Sequence, residues 1–482
     1  MPNHFRTIAV LLALCLALSG CGVIVLPNGD ETTAAETTTP SPADTTAPAA
    51  TTAEPYTAPA RPDAQAAADA ALAALPEQSF DGASLLIAAA SETINPLFPA
   101  DGELGENQAR LARNAAVTER YGISFIPAAA AADAIYTDAL AAQNAGLYYA
   151  DLLLLPAEQV GRFTAAGLLR NLRNLPFWTA DEDSAAVAGS AVYADLGEAV
   201  LVQEQLPAVF FNRALAAQLG DDFYTAVEDG SWTWELFFEA AAKAAALEGI
   251  SGHTLSPSNA TRYLDLCAAS SGVKLVDNTA GQTPTLTTDA AEALAALDAA
   301  LRRIGLGESQ YPINPANDIE GIQAFSVGRV LFCITSLGYM DWIYDASADW
   351  GILPLPSVAG ATHTPAGATA PVLCVTANNN KFEMTGLILA ALNAASTDVI
   401  TDAFITERLQ NRLRDWQSAG MIERIARSVT YDFAALYGSG LSSLALATTQ
   451  AVRDVPVSGA ALAQIVQARA YAANAELAKW FD

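Results

Sequence analysis

The chain has 482 residues, with 24 Lys and Arg against 52 Asp and Glu, for a formal net charge of -28. Hydrophobic residues make up 52% of it and charged residues 16%, a balance that supports large buried cores and excludes a chain disordered throughout. The negative charge repels phosphate backbones and anionic headgroups, which argues against a nucleic-acid partner; it fits solubility outside the cell better than a site for a cationic solute.

Arg6 is followed by an unbroken apolar run, Ile8 to Leu18, and then by Ser19-Gly20-Cys21. A basic start, an apolar middle and a small-residue exit describe a secretory signal peptide. The run has about 11 residues, whereas a membrane-spanning helix needs about 20. Leu18-Ser19-Gly20-Cys21 resembles the lipobox of bacterial lipoproteins. That resemblance implies removal of residues 1–20 and attachment of a diacylglyceryl group to the Cys21 thiol. Each buried CH2 contributes about 0.8 kcal/mol, so several palmitate-like chains anchor stably where one does not. The expected location is the outer face of a bacterial cytoplasmic membrane, with the membrane itself as a partner through the lipid.

Residues 21–62 are expected to form the tether, and from about Asp30 to Arg61 the sequence thins to Thr, Ala, Pro, Ser and Glu, as in Thr37-Thr38-Thr39-Pro40-Ser41-Pro42. Nothing here repeats with helix or strand period, so it reads as a disordered or polyproline-like tether. The body, 63–482, opens with helical propensity from Asp63 to Leu75. Ala83 to Ala90 is a continuous apolar run, the pattern of a strand buried on both faces. A helix over Asn107–Tyr121 ends at Gly122, a strand follows at Ile123–Ile126, a helix at Ala130–Asn144 and a strand at Ala150–Leu155. This succession predicts a parallel, doubly wound sheet. A second set follows: a strand at Ala208–Phe211, a helix at Arg213–Leu219, and a longer helix to Leu247 capped by Thr233. Strands are expected at Val330–Thr335, Trp350–Leu353 and Val372–Thr376, with helices from there to Asp482. Cys267, Cys333 and Cys374 lie among apolar or small neighbours and read as buried thiols, with a single disulfide left open.

Several passages resemble the extracellular solute-binding proteins of ABC importers, in the family that includes maltose- and other sugar-binding proteins. They are Ala150-Asp151-Leu152-Leu153-Leu154 with Gly167-Leu168-Leu169-Arg170-Asn171-Leu172, then Val209-Phe210-Phe211-Asn212-Arg213 and Thr233-Trp234-Glu235. Phe325-Ser326-Val327-Gly328-Arg329-Val330-Leu331-Phe332 and Trp350-Gly351-Ile352-Leu353-Pro354-Leu355-Pro356 complete the series. Phe211, Arg213 and Leu236 depart from the family pattern. The resemblance implies an α/β, two-lobed fold of the periplasmic-binding-protein kind, each lobe a mainly parallel sheet flanked by helices, with a helical C-terminal region. The expected division is lobe 1 over about 80–203 and 329–370, and lobe 2 over about 208–325 and 371–482.

Ligands of open α/β sheets bind outside the carboxyl ends of strands. Ser91 and Glu92 follow the first strand, and Glu92 reads equally as a solvated turn charge. Glu204 lies on the expected crossover between lobes, where related proteins use a glutamate to accept ligand hydroxyls. Gly338 permits a tight turn after the strand ending at Thr335, and Tyr339 and Trp342 follow it as aromatic platforms for a sugar ring or as packing residues. Trp416 and Trp178 are weaker aromatic candidates, whereas Trp232 and Trp234 are expected to fasten a helix start.

The histidines are His4, His253 and His363, and no HExxH, GxSxG, GxGxxG or Walker A pattern occurs. No catalytic residue, metal site or cofactor is expected. The leading reading is a monomeric, lipid-anchored substrate-binding protein that captures a solute, a sugar or oligosaccharide, and hands it to an ABC permease. A ligand-sensing or surface-interaction protein of the same fold is the alternative, and a carboxylate-dependent surface glycosidase is a third.

Overall fold

Apolar runs without polar alternation become strands covered on both faces. A computed structural model describes residues 63–482, apart from 101, 257–259, 288–289, 313–318, 344–345, 359–361, 368 and 482. The signal peptide, Cys21 and the tether lie outside the described residues. Helix α1 (Ala64–Ala73) is capped by Asp63, whose carboxylate accepts from the Ala66 amide at 3.0 Å. Strands β1 (Ala83–Ala90), β2 (Ile123–Ala130) and β3 (Leu152–Pro156) are mutually parallel, with β1 central. They are connected through α2 (Gly105–Tyr121) and α3 (Ala132–Asn144), and α4 (Val160–Ala165) follows β3. α2 stops at Gly122, whose φ of 60° a residue without Cβ adopts cheaply.

The second sheet contains β4 (Pro207–Asn212), β5 (Ser251–Leu255), β6 (Val330–Ser336) and β7 (Trp350–Leu353), in the order β7-β4-β6-β5. β5, β6 and β7 run one way and β4 against them. Its helices are α5 (Arg213–Leu219), α6 (Phe223–Glu228), α7 (Trp234–Ala245), α8 (Ala260–Ser270), α9 (Ala291–Gly305), α10 (Glu320–Ser326) and α11 (Met340–Ile343). β8 (Pro371–Val375) then returns to the first sheet, antiparallel to β3, giving the order β8-β3-β1-β2.

This corrects the expected lobe division at two points. Residues 330–336 and 350–353, expected in lobe 1, pair with β4 and β5, and residues 371–375, expected in lobe 2, pair with β3. The three segments are similar buried apolar runs, so hydrogen-bond partners rather than composition decide which sheet each joins.

One face of the second sheet packs Phe211 and Phe332 against Phe223, Trp232 and Phe237, with the Phe237 and Phe332 rings stacked at 4.7 Å. Trp232 donates to the Pro354 carbonyl (2.9 Å) and Trp234 to the Ser270 hydroxyl (3.2 Å), which fastens the start of α7 as expected. Thr233 caps that helix by accepting from the Leu236 amide.

After β8 come α12 (Phe382–Ala394), α13 (Val399–Asn411), α14 (Trp416–Arg427), α15 (Phe433–Tyr437), α16 (Ser442–Ala447), α17 (Thr449–Asp454) and α18 (Leu462–Phe481). The stretch Phe382–Arg408 is long and apolar enough to span a bilayer. Asp398, in the left-handed region at φ 56°, breaks it into two helices, and α12 buries Leu387, Ile388 and Leu392 in the main core. α13 and α14 cover the other face of the second sheet, where Phe404, Ile405, Ile422 and Ile425 meet Phe210, Cys333, Trp350 and Ile352. The last helices touch partners of both sheets. α15 packs on α4, and Arg453 of α17 pairs with Asp265 of α8 at 2.7 Å.

Cys267, Cys333 and Cys374 are free and buried, with burial raising each thiol's pKa. The disulfide left open is therefore not formed.

Candidate functional site at the carboxyl edge of the second sheet

β6 ends at Ser336 and the chain turns at once through Leu337–Tyr339 into α11. Leu337 and Met340 are wholly buried and anchor this turn, while Trp342 is 60% exposed and Tyr339 partly so. Their ring centroids lie 6.3 Å apart at 52°. The two apolar faces are thus held side by side by a buried turn.

Glu204 reaches the same place along the crossover before β4. The Leu337 amide donates to the Leu206 carbonyl at 2.9 Å. A Cβ on Gly338 would lie 3.2 Å from the Glu204 carbonyl oxygen and 3.3 Å from the Glu204 Cβ. Glycine is what lets the turn and the crossover approach so closely.

Arg408 of α13 joins them. Its Nη2 donates to Glu204 Oε1 at 2.5 Å and its Nη1 to Asp341 Oδ1 at 3.3 Å, while Arg412 Nε donates to the same Asp341 oxygen at 2.5 Å. Behind Glu204, Arg110 of α2 donates to Gln203 Oε1 (3.2 Å) and the Leu201 carbonyl (3.4 Å), tying the crossover to the first sheet's helices. Glu106, one turn earlier on α2, is 2% exposed. Burial raises its carboxyl pKa, and the neighbouring Glu204 and Glu407 carboxylates push it further in the same direction.

Four candidates from the sequence, Glu204, Gly338, Tyr339 and Trp342, therefore occupy one place. Ser91 and Glu92 are exposed at the carboxyl end of β1, where the Ser91 amide donates to the Ala130 carbonyl at 2.9 Å. Among the described residues their side chains make no hydrogen bond to the Tyr339 group.

Trp416 stands four positions after Arg412. It opens α14 beside Asp415, which accepts from Tyr224 Oη at 3.0 Å and lies 3.6 Å from Arg213. Those partners stand by Asn212, paired with Trp350, whereas Tyr339 follows Ser336, paired with Pro207 at the other end of β4. A strand of that length separates the two ends by about 17 Å. Trp178 is also engaged elsewhere, donating to the buried Asp195 at 2.8 Å.

Asp341, Arg408 and Arg412 were not among the sequence candidates. A signal existed: Arg408 and Arg412 stand four apart, within a predicted helical region, in a chain poor in basic residues. Chemically, the site offers two ring faces, two carboxylates that accept hydrogen bonds and two guanidiniums that donate them. Among the described residues no group of three His, Cys, Asp or Glu is arranged to hold a metal ion. His253 is walled into the core between Tyr263 and the Glu308 carbonyl.

No curated protein matches the chain by sequence. Among solved structures, the cyclic α-maltosyl-1,6-maltose binding protein of Arthrobacter globiformis is similar over 83% of this chain and 100% of its own, with TM-score 0.52 and 14% identity. A family 1 extracellular solute-binding protein from Bifidobacterium longum subsp. infantis matches over 83% and 99%, with TM-score 0.51 and 12% identity. The galacto-N-biose-/lacto-N-biose I-binding protein of a Bifidobacterium longum ABC transporter matches over 83% and 98%, with TM-score 0.50 and 14% identity. At these identities the likeness is one of fold, the α/β two-lobed architecture expected from the sequence. Membership rests on the sequence pattern of a family of binding proteins rather than enzymes, which matches residues 112–402, more than half of the chain: it belongs to the bacterial extracellular solute-binding proteins.

Proposed function

We propose that the protein is the solute-capturing component of an ABC importer and that its solute is a carbohydrate. Tyr339 and Trp342 stack on the sugar ring, Glu204 accepts hydroxyl hydrogens, and Ser91 and Glu92 contribute from the carboxyl edge of the first sheet. Hinge closure buries the solute, and the closed form docks on a separate permease, a step in which differential affinity for the closed state carries the signal. A lipid on Cys21 holds the protein at the membrane while this happens. The observation that carries this reading is the exposed Tyr339–Trp342 pair beside the carboxylates of Glu204 and Asp341, apolar faces with convergent polar groups. The solved relatives from Arthrobacter globiformis and Bifidobacterium longum, named for the saccharides they bind, support it.

The test is a thermal-shift screen of the full-length protein in detergent against saccharides, amino acids, peptides and polyamines. A saccharide at 100 times its Kd is expected to stabilise by about 2.7 kcal/mol. Trp342→Ala is expected to remove that shift while changing the unliganded stability by no more than about 0.5 kcal/mol, as at other exposed positions. Stabilisation by polyamines or amino acids and by no saccharide overturns the reading.

A further inference from the structure

The charged groups beside the rings form one chain of pairs, Glu204–Arg408–Asp341–Arg412, in which two positive and two negative charges cancel. The members are not equally accessible. The Arg408 side chain is 4% exposed, and one Nη is taken by each carboxylate. The carboxylates show much more of themselves: Glu204 is 41% and Asp341 45% exposed. A solute arriving at Tyr339 and Trp342 therefore meets carboxylate edges first. Each carboxylate has about four acceptor positions, more than its arginine partners use.

Three classes of solute fare differently here. A hydroxyl donates to the spare lone pairs and leaves every ion pair intact. An anionic solute is repelled by Asp341 and Glu204 and reaches Arg408 only by displacing one of them. A cationic solute donates to the same spare lone pairs and is not excluded by them. Arg262 of α8 stands close enough to the Tyr339 hydroxyl to interact with it, but is already engaged.

We propose, resting on the carbohydrate-binding reading above, that this site selects uncharged, hydroxyl-rich solutes against acidic sugars, and that Asp341 is the residue that sets the rejection of anions. Asp341 does so by occupying the guanidinium edges of Arg408 and Arg412 that a solute carboxylate would otherwise take in a bidentate pair.

The experiment is equilibrium binding to the full-length protein in detergent of maltotriose, cellotriose and galactotriose, each beside its C6-oxidised uronic form. In the wild type at least one neutral trisaccharide is expected to bind, and its uronic form to bind at least tenfold more weakly. Asp341→Asn is expected to tighten the uronic form at least tenfold while weakening the neutral sugar by less than that. Glu204→Gln, which removes the other anion, is expected to act in the same direction and serves where Asp341→Asn does not fold. The preference is expected to persist in about 0.5 M salt, where exposed charges beyond a few ångströms are screened. Binding of none of the saccharides overturns the carbohydrate reading itself. Equal wild-type binding of neutral and uronic forms, or unchanged uronate binding in both variants, overturns the charge selection alone. Loss of the preference in salt assigns it to the net charge of the whole protein and overturns the role of Asp341.

Discussion

His253 sits on β5, wholly buried beside the aromatic face of the second sheet, and its pH response tests how fixed that interior is. A carbonyl only accepts, so the ring's Nε2 hydrogen goes to the Glu308 carbonyl at 2.8 Å, and Nδ1 accepts from Tyr263 Oη at 3.0 Å. The neutral ring is satisfied on both sides, and burial lowers its pKa from 6.5 to about 4. In the unfolded chain the same ring takes its proton near pH 6.5. Between these values the unfolded state binds more protons, so stability falls as the pH falls. From pH 7.5 to pH 5 the loss attributable to this one group is about 2 kcal/mol, rising to about 3 kcal/mol below pH 4. The carboxyls of Glu106, Asp195, Glu198 and Asp432 have raised pKa values and act in the opposite sense, which obscures the effect in the wild type alone. Urea unfolding of the wild type and of His253→Gln at a series of pH values isolates it, because the carboxyls are common to both. The wild type is expected to lose about 2 kcal/mol relative to the variant between pH 7.5 and pH 5. A difference that is flat or rises as the pH falls refutes the buried, neutral imidazole.

Arg113 of α2 is 3% exposed and donates to the Ala199, Pro96 and Leu97 carbonyls and to Ser396 Oγ, with burial lowering its pKa to about 9. Arg113→Met leaves those acceptors unpaired and is expected to cost roughly 3 kcal/mol in calorimetric stability, with solute affinity unchanged in the folded fraction. Gly161 of α4 faces α15 so closely that a Cβ would lie within 2.3 Å of the Tyr437 carbonyl oxygen. Gly161→Ala is expected to destabilise by about 2 kcal/mol in urea unfolding, and a neutral result would mean that α15 yields freely.

Strands and helices bounded by glycine, proline or charge were legible in the sequence. Ala83–Ala90, Arg213–Leu219 and Trp350–Leu353 have the bounds their composition suggests. β2 runs four residues beyond Ile126 because it is an edge strand, where Pro127 costs no interior hydrogen bond. β5, Ser-Gly-His-Thr-Leu, was missed: it carries little apolar signal of its own and is buried only because β6 lies beside it. Which sheet β6, β7 and β8 join is a matter of long-range pairing and leaves no local mark. The same division runs through the site. Tyr339 and Trp342 follow a strand end that the sequence announces, whereas Asp341 meets Arg408 from 67 positions away, which no local pattern encodes.

The late return of β8 to the first sheet bears on how the chain is made. Until Pro371–Val375 has been synthesised, β3 has no neighbour on that side, and Leu152 to Leu155 present an open apolar edge of the kind that recruits other chains. At about 5–20 residues per second, the ribosome takes roughly ten to forty seconds to travel from β3 to β8. Neither sheet is complete before β6 and β7 have emerged as well, so no early portion of the chain closes a finished lobe. In a member of an extracellular family, the order in which the strands are written thus holds back completion of both sheets until late in synthesis.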